Sequence, residues 1–104
     1  MGDTNYLASI VKILEKPIQT IINDKIVTTE FRAQLAQVRN TRIVKLIFWG
    51  NLARDVVNYY HVNDYIMIEG YLSLHDKKNK DNNLIKSKLK EVQIIVLKIY
   101  PIKN

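Results

Sequence analysis

The chain has 104 residues, 47% hydrophobic and 25% charged, and 16 Lys and Arg against 10 Asp and Glu give it a net charge of +6. That length encloses one modest core and is too short for two, and the composition is that of a folded chain rather than a disordered one. The absence of cysteine excludes a disulfide framework and a thiolate metal site, and every apolar run is interrupted by Lys, Glu or Asn before it reaches bilayer-spanning length.

Taken in chain order, Asn5 to Leu14 predicts a first strand, ended by Glu15-Lys16-Pro17 because Pro17 lacks the amide a central strand needs. A turn signal at Asn23-Asp24 precedes a second strand, in which Phe31, Ala33 and Leu35 alternate with Glu30, Arg32 and Gln34. Thr41 to Trp49 is the third. Asn51 is expected to cap a short helix whose apolar positions Leu52, Val56 and Tyr59 or Tyr60 recur at helical spacing. Val62-Asn63-Asp64 then turns the chain into a fourth strand, Tyr65 to His75, with Gly70 near its middle. Asp76 to Asn83 is a polar tip within a flexible hairpin loop over 76–84, and the last strand runs from Lys88 to Tyr100 before Pro101 stops it. No repeat or linker divides residues 1–104, so a single domain is expected.

Three strands, a short helix and two further strands must close on themselves to hide their edges. That order is the chain order of an OB fold, an all-β, five-stranded barrel with the helix between strands three and four plugging one end.

The third strand carries the most information. Its residues divide into Val44, Leu46 and Phe48 on one face and Ile43, Lys45, Ile47 and Trp49 on the other. A barrel core does not hold an unpaired Lys45 without a cost of several kcal/mol, on the order given for buried ions. The Lys45 set therefore points outward and Phe48 points in. Trp49 then stands exposed near a cation, with Gly50 leaving room beside it, as a platform on which any base could stack. The competing reading of a lone tryptophan, core or subunit interface, would follow if a bulge preceded it.

"VKLIFWGNLARDVVNYYHVNDYIMIEGYL", Val44 to Leu72, resembles the centre of bacterial single-stranded DNA-binding proteins. The shared features are a strand ending in aromatic-Gly, a polar residue and Leu-Ala opening a helix, a helix-end tyrosine, a polar turn and an Ile-Glu-Gly-x-Leu strand. The likeness runs from about Asn5 to Tyr100 and looks nearest to the compact cyanobacterial and plastid members. It implies that Trp49 is the base-stacking aromatic of strand three and that Lys45 is a basic residue on the same face. It also implies single-stranded DNA as partner, bound with little sequence preference, and a homodimer or homotetramer. Where the family often has further stacking tryptophans, this chain has Ile43 and Lys77, and its end, Pro101-Ile102-Lys103-Asn104, lacks the family's acidic, hydrophobic tip.

The remaining candidates follow from charge and alternation. Lys77, Lys78 and Lys80 on the hairpin tip and Lys86, Lys88 and Lys90 after it would track a nucleic-acid backbone; the alternative is a solvated tip softened by Asp76 and Asp81. Arg32 and Gln34 share the outward face of strand two. Tyr71, outward on strand four, would stack or line a subunit interface, with the interface favoured. Tyr59 and Tyr60 are expected to pack the helix on the barrel. His61 and His75 have no ligand-spaced partners, and no Gly-rich phosphate loop or catalytic triad pattern is present, so the expectation is a non-enzyme without metal or cofactor. Two other functions fit the same elements: an oligomeric interaction module with Trp49 between subunits, and a primosomal accessory protein acting through protein partners. RNA suits the chemistry as well as DNA, since nothing in the sequence reads a 2′-hydroxyl. Abundant Ile, Lys, Asn and Tyr, all with A/T-rich codons, and a start at Met1 to Tyr6 without a signal pattern suggest the cytoplasm or nucleoid, or a plastid stroma.

Overall fold

The computed structural model describes residues 5–36, 42–76 and 90–102. The elements are β1 (Tyr6–Ile13), β2 (Ile18–Asn23), β3 (Ile26–Leu35), β4 (Arg42–Trp49), α1 (Gly50–Tyr59), β5 (Tyr65–Asp76) and β6 (Lys90–Pro101). The sheet order is β1-β5-β6-β4-β3-β2, and the end of β1 also pairs with β3, Val11 opposite Leu35 and Ile13 opposite Ala33. That extra pairing makes β1, β5, β6, β4 and β3 a closed circuit of five strands, with the helix lying between its third and fourth members in chain order. The all-β OB arrangement expected from the element order is therefore met. β4 and β6 are the parallel pair in it.

One strand was not expected. β2 forms a hairpin with β3, closed by Asn23, whose side-chain oxygen accepts hydrogen bonds from the backbone N–H groups of Lys25 (2.9 Å) and Ile26 (3.1 Å). It lies outside the closed circuit, and all six of its residues are exposed. With no face to bury, "IQTIIN" shows no two-residue alternation, and so the sequence gives no strand signal there.

The core is the inward set of every circuit strand: Val11 and Ile13, Phe31 and Ala33, Val44, Leu46 and Phe48, Ile66 and Ile68, Ile94 and Val96. Phe31 and Phe48 stack at its centre with ring centroids 5.3 Å apart. Helix α1 covers the β3 and β4 side with Ala53 and Val56 buried, and the buried Thr29 hydroxyl donates to the Ala53 carbonyl at 2.7 Å. Asn51 does not cap this helix. Trp49 occupies the cap position in extended conformation without a side-chain cap bond, and Gly50 turns the strand into the helix with φ of +66°. Apart from its two chain neighbours, nothing lies within 4 Å of where a Gly50 Cβ would stand, and the positive backbone angle is what calls for glycine there. Tyr60 packs against the core as expected, whereas Tyr59 is 69% exposed and takes no part in it.

On β5 the ladder to β6 slips by one residue between Glu69 and Gly70. A Cβ on Gly70 would overlap the Ile95 carbonyl oxygen, which explains a glycine in mid-strand. Asp64 and Asn63 bind the α1–β5 turn back to β1 through Ile13: Ile13 N–H donates to Asp64 O at 2.9 Å and Asn63 N–H to Ile13 O at 2.8 Å. Pro101 is the last residue of β6, opposite Ile66, and so ends the strand from within.

Candidate nucleic-acid interface

The outer wall of β3, β4 and β6 carries the described candidates. Phe48 is fully buried and Trp49, its neighbour, is 49% exposed, so the alternation read from the sequence holds to the end of β4. On the same outward set, Ile43 is exposed and Lys45 and Ile47 are half-buried. Strand register places Arg32 directly opposite Lys45, Gln34 opposite Ile43 and Thr28 opposite Trp49. From the other side, β6 brings Gln93 beside Lys45 and Ile95 beside Ile47.

The two cations at the centre of this wall are not free. Lys45 Nζ lies 3.6 Å from Glu30 Oε1 on β3 and 3.6 Å from Glu91 Oε2 on β6. Glu91 in turn accepts a hydrogen bond from the Gln93 amide at 3.1 Å. Arg32 is bound to Glu15 through its guanidinium, with Nε and Nη2 both 3.1 Å from Oε1, and its backbone N–H donates to Oε2 at 2.8 Å. These hydrogen bonds from Arg32 hold the Glu15 carboxyl below the usual carboxylate range. Like charges directly opposite each other on adjacent strands repel, and the three carboxylates relieve that repulsion. Sequence reasoning found Arg32, Gln34, Lys45 and Trp49 on one face but missed Glu15, Glu30 and Glu91. Their contacts are diagonal or cross the circuit, and alternation along one strand does not report them.

Tyr71 belongs to a different wall. On the outside of β1, β5 and β6, register sets Tyr6 beside Tyr71, Ile10 beside Met67, Met67 beside Tyr100 and Tyr71 beside Ile95. All six are 36–44% exposed, and Tyr6 meets Tyr71 edge-on at 5.2 Å. Amid them the Tyr6 hydroxyl donates a short 2.5 Å bond to Glu69, which pushes the phenol up to about 12. Lys77, Lys78, Lys80, Lys86 and Lys88 lie outside the described residues. Residues 77–90 nevertheless hold six lysines against one acidic residue, Asp81, so most of the net charge of +6 belongs to that segment. Its base, where β5 and β6 meet at Asp76 and Lys90, is at the end of the wall where β4 begins, and Trp49 is at the other end.

Among the described residues no three of His, Asp and Glu converge as a metal site, and no helix is long and apolar enough to cross a membrane. His61 is engaged locally, its backbone N–H donating to the Asp64 carboxylate at 2.8 Å.

No protein-family model matches the sequence. A curated relative from Trieres chinensis, named "Putative single-stranded DNA-binding protein ycf41", is 40% identical over 101 residues, which is 93% of this chain and 88% of that one. The chain belongs to the single-stranded DNA-binding protein family. Solved single-stranded DNA-binding proteins share its fold at low identity. The domain from a Synechococcus species covers 96% of this chain and 98% of its own with a TM-score of 0.71 at 18% identity. The small protein of Streptomyces coelicolor superposes with a TM-score of 0.77 at 12% identity, covering 92% of each chain. The second such protein of Mycobacterium smegmatis gives 0.70 at 21%, over 93% of this chain and 87% of that one.

Proposed function

We propose that the protein binds single-stranded DNA with little sequence preference, as a binding protein and not an enzyme, in DNA replication, repair or maintenance. The observation that carries this is Trp49, an indole half exposed on the outer wall of β4 in a chain of this family. A base stacks on it. Going from Trp49 toward the β5–β6 hairpin, the strand's backbone passes Lys45, Arg32 and Gln34 and reaches the segment of Lys77, Lys78, Lys80, Lys86 and Lys88. By the rise of a strand residue, the path from Trp49 to the hairpin base is roughly 20 Å, room for a few extended nucleotides. The stacking chemistry is blind to base identity, and phosphate contacts carry no sequence information.

The aromatic and aliphatic wall of β1, β5 and β6 supports self-association into a homodimer or homotetramer, with Tyr71 at the contact. Tyr6, Ile10, Met67, Tyr71, Ile95 and Tyr100 make it continuous across three strands. That wall adjoins the Trp49 wall along β6, where Ile95 stands beside Tyr71 on one side and Ile47 on the other.

Titration of the intrinsic Trp49 fluorescence with oligo-dT tests the reading. Quenching at low salt is expected, and Trp49→Ala should weaken binding about five- to 150-fold, the equivalent of roughly 1–3 kcal/mol per stacked base. Emission that ignores the oligonucleotide, or an alanine variant that binds as tightly, removes the basis of the proposal. Duplex DNA and RNA competitors run in parallel show which strand chemistry is preferred.

A further inference from the structure

The wall proposed to take a phosphate backbone carries, around Arg32 and Lys45, two cations and three carboxylates. That cluster is not positive in the free protein. Lys45 is its hub. It stands in mid-wall with its side chain only 30% exposed, between Glu30 on one neighbouring strand and Glu91 on the other. A carboxylate oxygen and a phosphate oxygen make the same demand on an ammonium group, and each glutamate has an oxygen 3.6 Å from the Lys45 ammonium.

We propose that Glu30 and Glu91 are affinity-setting residues, an internal competitor that a phosphate must displace from Lys45 before the nucleic acid can lie flat between the hairpin and Trp49. The proposal rests on the single-stranded DNA reading above and adds to it a residue-level brake. In the free protein the glutamates hold Lys45 in place and relieve its repulsion from Arg32, which it faces across the β3–β4 ladder. In the complex they are turned aside, left without the lysine and close to a polyanion. The strand is therefore held loosely where it crosses Lys45. Loose central contact suits a protein whose ligand has to be released and passed on.

The isosteric double variant Glu30→Gln, Glu91→Gln tests this. Removing any negative charge strengthens binding to a polyanion to some degree, so the comparison is a double variant that removes two acids elsewhere, Asp24→Asn in the β2–β3 turn and Asp55→Asn on α1. Affinity for oligo-dT is measured for both at several salt concentrations, with and without Lys45→Gln, and melting curves report folding. The expected result is that the glutamate variant binds roughly two- to tenfold tighter than wild type, the range two partly exposed ion pairs can withhold. It should also exceed the aspartate control, gain a salt slope steeper by about 0.7 because the ions shed by the phosphate at Lys45 are no longer offset by ions that freed carboxylates take up, and lose its advantage when Lys45 is glutamine. Equal gains in the two double variants, or a gain that survives Lys45→Gln, overturn the proposal. Single variants of Glu30 and Glu91 serve if the double variant melts early. Failure of the underlying function looks different: wild-type protein would then show neither quenching nor binding at low salt.

Discussion

A Cβ on Gly70 would run into the Ile95 carbonyl oxygen, a fixed part of the β5–β6 ladder that no side-chain rotation can move aside. Gly50 presents the opposite case, open space but φ of +66°. Replacing Gly70 by alanine forces the two strands apart and should destabilise the fold by about 1–3 kcal/mol, as overpacking does. Gly50→Ala carries only left-handed backbone strain, about 1–2 kcal/mol. Melting curves should therefore rank Gly70→Ala as the more damaging or equal, at about 4–8 °C per kcal/mol for a domain of this size. Tyr6 makes a second residue-scale prediction. Its hydrogen bond to Glu69 favours the neutral phenol and lifts it from 10.0 to about 12. A group raised on folding contributes stability that is whole below its unfolded value and is lost as pH climbs through the folded one, here between about 10 and 12. Burial also raises the Tyr60 phenol, so phenolate absorbance should show a late-titrating component that shrinks in Tyr6→Phe without vanishing. A variant whose late component is as large as in wild type would mean that Glu69 does not hold the Tyr6 phenol.

At the scale of elements, a buried polar contact attaches the helix to the barrel, the Thr29 hydroxyl to the Ala53 carbonyl. Thr29→Val keeps the shape and removes the donor, and should lower stability by about 1–2 kcal/mol in urea unfolding, with an unchanged slope. An unaltered midpoint would show that packing of Ala53 and Val56 alone seats α1. The same element shows where the sequence was legible. Phe48 in and Trp49 out could be read because strand alternation is local and Lys45 fixed its phase. A glycine in mid-strand, as Gly70 is, implies close approach, and the Ile95 carbonyl oxygen makes it. The helix start could not be read, since Asn51 has the right chemistry for a cap while the turn is made one residue earlier by Gly50 with Trp49 still extended. Nor could β2, which buries nothing, or the Glu15–Arg32 and Lys45–Glu91 pairs, which depend on a register between strands far apart in sequence. The ion pairs escape a local reading because the closed circuit itself creates them.

For the whole molecule the distribution of charge decides how binding should respond to salt. The cluster centred on Lys45 matches its cations with carboxylates, whereas residues 77–90 hold six lysines and one aspartate. If that segment grips the strand, the counterions released on binding come chiefly from phosphates it neutralises. Each contact to single-stranded nucleic acid contributes about 0.7 to the slope of log affinity against log salt. Replacing Lys77, Lys78 and Lys80 together by glutamine should then flatten the slope by about 2, while the quenching of Trp49 at saturation stays as in wild type because the stacking end is untouched. Trp49→Ala should do the reverse, lowering affinity at every salt concentration with the slope preserved. A triple variant with the wild-type slope would mean that these lysines only solvate the tip and that the phosphates are held elsewhere, by Lys86, Lys88 and Lys90 or by the Arg32–Lys45 wall. Because each variant alters one of two separable quantities, the pair distinguishes a protein clamped at both ends of its groove from one that binds through charge alone.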